Sequence, residues 1–185
     1  LFRSGIAVGY SGTILRTTDS GGTWTLLESG TTTMLMSVHF ADAHNGIIAG
    51  ADGAILRTTD GGTTWGFQNS RSDAFLNSVL LIDSLRSVAV GYQGAVLRTT
   101  DAGHTWDEGR IETLHTLNQV AFSDASFGMA VGPNDTIFVT SDGGESWFAT
   151  NFSLSPIHVR SLAINPLTPG ILYAGTDSKS IHSAG

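Results

Sequence analysis

The chain has 185 residues, a formal net charge of −7, 14% charged residues, 23 glycines and no cysteine. The acidic balance argues against a nucleic-acid binder, which would present a basic face, and the lack of cysteine removes disulfides, thiolate metal sites and cysteine nucleophiles. No run of about 18 apolar residues predicts a membrane span within the chain, and sparse charge with abundant glycine suits short strands and tight turns.

In chain order, Gly5-Ile6-Ala7-Val8-Gly9 comes first. It predicts a strand apolar on both faces, so both faces need cover. Residues 13–17, Thr-Ile-Leu-Arg-Thr, predict a second strand, and the octet Thr17-Thr18-Asp19-Ser20-Gly21-Gly22-Thr23-Trp24 a turn. A third strand is expected to begin at the tryptophan. After a loop at 28–35 comes the alternating run Met36-Ser37-Val38-His39-Phe40, and then the series starts again. Small apolar strands recur at 47–50, 88–91, 129–132 and 172–175, and alternating runs at 77–81, 118–122 and 160–164. The octets end at Trp24, Trp65, Trp106 and Trp147, a stride of 41 residues that uses every tryptophan. Such a period is the signature of a repeat architecture. Four short strands rich in Val, Ile, Thr and aromatics make up each unit. A radial stack of four-stranded sheets covers both faces of the small apolar strand, so the predicted fold is an all-β propeller of four-stranded antiparallel blades. A β-sandwich also uses regularly spaced strands, but it gives no reason for a strict stride.

Each octet carries an aspartate, at Asp19, Asp60, Asp101 and Asp142. Its carboxylate is expected to accept bonds from turn N–H groups and from the Thr or Ser hydroxyl four residues on. The tryptophan is expected to close over the hairpin and bury on the order of 200 Å². The reading is structural, and the distal Glu of a calcium loop is absent. Arg16, Arg57 and Arg98 share the stride. Equivalent places in successive blades suit packing or pairing between blades rather than convergence on a ligand. Repeats are read at about 1–30, 31–71, 72–112, 113–154 and 155–185, the first and last incomplete. The start at Leu1 and the cut units lead to the expectation of an incomplete propeller, part of a larger one of five to eight blades.

The octets resemble the Asp-box of sialidase-type (BNR) repeats. The wider unit adds Phe40-Ala41-Asp42 or Phe122-Ser123-Asp124, then Ala-Val-Gly, Ile-Leu-Arg-Thr-Thr-Asp, Gly and Trp. That unit resembles the repeat of photosystem II stability/assembly factor-like propellers, a bacterial as well as plastid type. The last unit, Ile164-Asn165-Pro166-Leu167-Thr168-Pro169-Gly170-Ile171-Leu172-Tyr173-Ala174-Gly175, resembles a strand pair of xyloglucanase-like proteins. The first resemblance implies a non-catalytic scaffold for protein binding or complex assembly. The second implies the alternative, a carbohydrate-binding or glycoside-hydrolase propeller. Both imply a secreted, periplasmic or cell-surface setting.

Propeller ligands sit on loops between the fourth strand and the next first strand, and on turns between strands two and three. Here these are 28–35, 68–75, 108–114 and 150–157, with the turns 10–12, 51–53, 92–94 and 133–135. Sequence varies there while the octets barely change, and loops on a rigid scaffold are where function resides. Arg71, Tyr92 and Arg110, from consecutive repeats, are expected to lie together and contact a partner, with Tyr10 and His115 on the same face. Asp52, Asp73, Glu108 and Glu112 supply loop carboxylates, but spacing singles out no glycosidase pair. The histidines form no metal-ligand motif. The expected partner is a protein, with a glycan as the alternative, no nucleic acid and no cofactor.

Overall fold

The structure, a computed structural model, describes residues 4–108, 111, 113–150, 158–165, 168, 172–177 and 183–184. It is all-β, with five antiparallel sheets set side by side as blades. Blade 1 holds β1 (Gly5–Val8), β2 (Ile14–Thr17) and β3 (Thr25–Leu27). Blade 2 holds β4 (Leu35–Phe40), β5 (Gly46–Gly50), β6 (Ile55–Thr58) and β7 (Gly66–Gln68). Blade 3 holds β8 (Leu76–Leu81), β9 (Ser87–Gly91), β10 (Val96–Thr99) and β11 (Asp107–Glu108). Blade 4 holds β12 (Gln119–Phe122), β13 (Gly128–Val131), β14 (Ile137–Thr140) and β15 (Phe148–Ala149). Blade 5 holds β16 (Val159–Ile164), β17 (Leu172–Thr176) and β18 (Ser183–Ala184). Each sheet is a meander in sequence order, so every connection is short.

The second strand behaves as its two-faced apolar pattern requires. All five residues of β5 and of β9 are buried, with a neighbouring blade on either side. In the outer blades β1 is only half-buried and β17 alternates between half-buried and exposed, because one flank of each lacks a described neighbour. The core lies between blades. Ile47, Ala49 and Ile55 of blade 2 pack with Leu76, Val79, Ala89 and Leu97 of blade 3, and Val88, Val90 and Val96 of blade 3 pack with Val120, Ala130 and Phe138 of blade 4.

Hydrogen bonds add to this packing. Ser37 Oγ accepts the Val79 N–H at 3.2 Å, Ser78 Oγ accepts the Val120 N–H at 3.3 Å, and Gln119 Oε1 accepts the Leu162 N–H at 2.7 Å. These three acceptors stand one stride apart. His39 Nδ1 accepts the Leu81 N–H at 3.2 Å, and burial lowers the His39 pKa below its ordinary 6.5. Register shifts fall at the same place in three blades, between Leu35 and Ser37, Leu76 and Ser78, and Val159 and Ser161. Such an irregularity re-aims a side chain. Asn77, inside the second shift, donates from Nδ2 to Leu117 O of the next blade at 2.9 Å.

Two of the three stride arginines also join blades. Arg57 Nη2 donates to Ser84 O of blade 3, and Arg98 Nε donates to Gly143 O of blade 4 at 3.0 Å.

The tryptophans correct one expectation. Trp65, Trp106 and Trp147 pack against the preceding blade rather than over their own hairpins alone. Trp106 sits with Ile47, Ala49 and Ile55, Trp147 with Val88, Val90 and Val96, and Trp65 against the Ile6, Val8 and Ile14 cluster. Trp106 is therefore 4% exposed, whereas Trp24, with no described blade before it, is 47% exposed. Phe40 and Phe122 brace Trp65 and Trp147 edge-on, with centroids 5.9 and 6.1 Å apart.

Candidate functional site

The turns sort onto two faces. One carries the octets and the turns between strands one and two. Asp19 accepts the Thr23 N–H at 2.9 Å and the Thr23 hydroxyl at 2.7 Å, and Asp101 accepts the Thr105 N–H at 2.9 Å and the Thr105 hydroxyl at 2.6 Å. Asp60 takes the same bonds from Thr64, and Asp142 from Ser146. A further tie escaped the sequence reading. The first threonine of each octet, Thr17, Thr58, Thr99 or Thr140, is buried and donates its hydroxyl to the same carboxylate at 2.7–2.8 Å. Its signal was a threonine at every octet's first position.

These donors favour the charged carboxylate. The Thr23 N–H and hydroxyl, with the Thr17 hydroxyl, hold Asp19 down to about 2, and the Thr105 hydroxyl and N–H do so for Asp101. At Asp142 burial pushes upward, but the Ser146 hydroxyl and N–H outweigh it and the value again falls to about 2. Asp60 is lowered further by Thr64. Because folding lowers these values from 3.8, their contribution to stability is present above that pH and is lost as pH falls toward about 2. The octet carboxylates are thus satisfied within their own turns.

The opposite face carries the interblade loops and the turns between strands two and three, as the repeat pattern predicts. The loops at 28–35 and 68–75 are each stitched by their backbone to the blade they leave and the blade they enter. Gly12 N donates to Thr33 O at 2.9 Å and Gly53 N to Ala74 O at 2.8 Å, while Ala51 N reaches Met34 O at 2.9 Å and Tyr92 N reaches Phe75 O at 2.8 Å. The approach is so close that Gly53, at φ +63°, faces Ser72 O only 1.9 Å from where a Cβ would lie. The preceding residue is also left-handed: Asp52 has φ 53° and its equivalents Ser11, Gln93 and Asn134 have 54°. Ser70 Oγ, buried, donates to Gly53 O at 2.8 Å and secures the same junction. The serine recurs as Ser29, one stride earlier, a signal the sequence reading passed over.

On this scaffold Tyr10, Tyr92 and Leu114 stand 78%, 56% and 86% exposed. Below Tyr92 an open cavity of about 530 Å³ is lined by Asp73, Phe75, Gln93, Glu108 and Ile111, among others. Tyr92 and the 72–75 segment are therefore brought together. Arg71 is exposed on the same loop at φ 56°, but it does not line this cavity. His115 is exposed on the next loop, its N–H bonded to the Thr113 hydroxyl at 3.1 Å. Tyr10 stands on the turn of blade 1, two blades from Tyr92. Arg110, Glu112 and residues 151–157 lie outside the described residues. Asp73 and Glu108 share the cavity, which sequence spacing did not reveal.

Repeated antiparallel blades with one face of self-satisfied aspartate turns and one variable loop face define a BNR-repeat β-propeller. The family described as "Photosynthesis system II assembly factor YCF48" matches residues 22–113. The chain belongs to this photosystem II assembly factor-like family of repeat propellers. Among curated proteins none matches. Among solved structures, "YCF48 bound to D1 peptide" is similar at 21% identity and a TM-score of 0.75, over 100% of this chain and 62% of that one. YCF48 from Cyanidioschyzon merolae is similar at 17% identity and a TM-score of 0.71, over 93% of this chain and 60% of that one. The GH74 xyloglucanase from Xanthomonas campestris is similar at 16% identity and a TM-score of 0.73, over 100% of this chain and 34% of that one. The chain thus spans about three-fifths of the YCF48 structures. At these identities the likenesses establish the fold alone.

Proposed function

We propose that this propeller is a non-catalytic scaffold whose loop face binds a segment of a protein partner. The observation that carries the reading is the cavity beside Tyr92, one wall of which, the 72–75 segment, is bonded through its backbone to two blades. Exposed tyrosines on a preorganised surface supply large contact area at little entropic cost. The similar YCF48 structure bound to a peptide supports a peptide segment as the ligand class. The contact set is Arg71, Tyr92 and Arg110 from consecutive repeats, with Tyr10 and His115 on the same face.

The test is affinity capture with mass-spectrometric identification of the bound segment, comparing wild type with Tyr92→Ala and with Arg71→Ala/Arg110→Ala. The captured segment should be lost or weakened in both variants while their unfolding midpoints stay almost unmoved, since exposed loop substitutions cost under about 0.5 kcal/mol. Undiminished capture by both variants would overturn the assignment.

A further inference from the structure

The carboxylates sort by face. On the octet face the turn aspartates are consumed. Asp19, Asp60, Asp101 and Asp142 are bonded within the octets, and Asp42, Asp83 and Asp124 accept N–H bonds in the turns between strands one and two. On the loop face Glu28, Asp52, Asp73 and Glu108 are exposed, and none has a hydrogen-bond or ion-pair partner among the described residues. Two of them line the cavity beneath Tyr92, and Glu28 lines the corresponding cavity of blade 1 beside Ser11 and Gly12. Among the described residues, positive charge on this face is scant. Arg71 is exposed on the 69–75 loop, and Arg160 is already held by Asp177 at 2.9 Å.

Resting on the protein-binding reading above, we infer that the partner segment is cationic. It is an extended stretch carrying lysine or arginine, with one cationic side chain seated between Asp73 and Glu108. Its aliphatic stem lies against Phe75, Ile111 and the ring of Tyr92. Long cationic side chains bury their stems on apolar surface while their heads meet charge, and a tyrosine face attracts a cation. Charge complementarity then selects the partner and speeds encounter.

Fluorescence polarisation with three labelled peptides tests this. They share length and apolar pattern and carry lysine and arginine, glutamine, or glutamate at the variable positions. The cationic peptide should bind tightest, and added salt should weaken it, as screening requires. Asp73→Asn and Glu108→Gln should each weaken it by roughly two- to fivefold, the range for exposed charge pairs. Glu145→Gln removes the same charge from the octet face and should leave binding unchanged. The inference is overturned if the glutamine or glutamate peptide binds as tightly, or if Glu145→Gln has the same effect as the loop-face changes. If all three peptides bind equally and Tyr92→Ala abolishes them, the cationic inference alone fails. If none binds, the protein-binding reading fails with it.

Discussion

Two tryptophans from one motif offer a test in which local sequence is held nearly constant and packing changes. Trp106 and Trp24 end equivalent octets, yet Trp106 is 4% exposed among blade 2 and blade 3 side chains and Trp24 is 47% exposed. If the octet tryptophan stabilised its own hairpin, truncating either would cost the same. Packing against the preceding blade gives a different answer. A buried tryptophan covers about 200 Å², worth roughly 5 kcal/mol at about 25 cal/mol per Å². Trp106→Ala should therefore cost about 3–5 kcal/mol, the range for large aromatics removed from cores. Trp24→Ala forfeits about half that area and leaves no enclosed void, so about 1–2 kcal/mol is expected. Urea denaturation followed by circular dichroism measures both. Equal losses at the two positions would refute interblade packing as the role of this residue.

Stability should also fall as pH drops below about 6.5, because burial lowers the His39 pKa and the unfolded chain then binds the extra proton. His39→Gln keeps an acceptor for the Leu81 N–H and removes the titration, so its melting temperature should depend less on pH across that window. Gly53→Ala should cost at least about 1–3 kcal/mol, the range for backbone strain, since its Cβ would lie 1.9 Å from Ser72 O at φ +63°. Gly66→Ala, whose Cβ would meet nothing nearer than Arg57 O at 4.0 Å, should stay within about 0.5 kcal/mol by the same denaturation assay.

The stride made the fold legible. A tryptophan every 41 residues, with a small apolar strand between, reports a blade whatever its surroundings. The aspartate turns were legible for the same reason, since their bonds join residues within four positions of each other. Contacts between blades were harder to see. That Ser37, Ser78 and Gln119 serve one interblade role follows from the stride, but their acceptor chemistry emerges only when β4, β8 and β12 stand beside their neighbours. Trp24 was misjudged because burial is a property of the adjacent blade, which an octet does not encode. At the candidate site the face itself was readable from loop variability. That Asp73 and Glu108 line one cavity was not, because they come from opposite ends of blade 3 and the cavity takes shape only when the 72–75 segment lies beside the 92–96 turn.

On this reading binding takes place on the loop face. Hydrogen–deuterium exchange of the chain with and without its captured peptide tests it most directly, since every stretch of backbone is compared in one experiment. Protection is predicted at residues 69–75, 92–96 and 113–117, with the octets at 58–65 and 99–106 unchanged. Protection confined to the octets, with those loops exchanging as in the free chain, would contradict it.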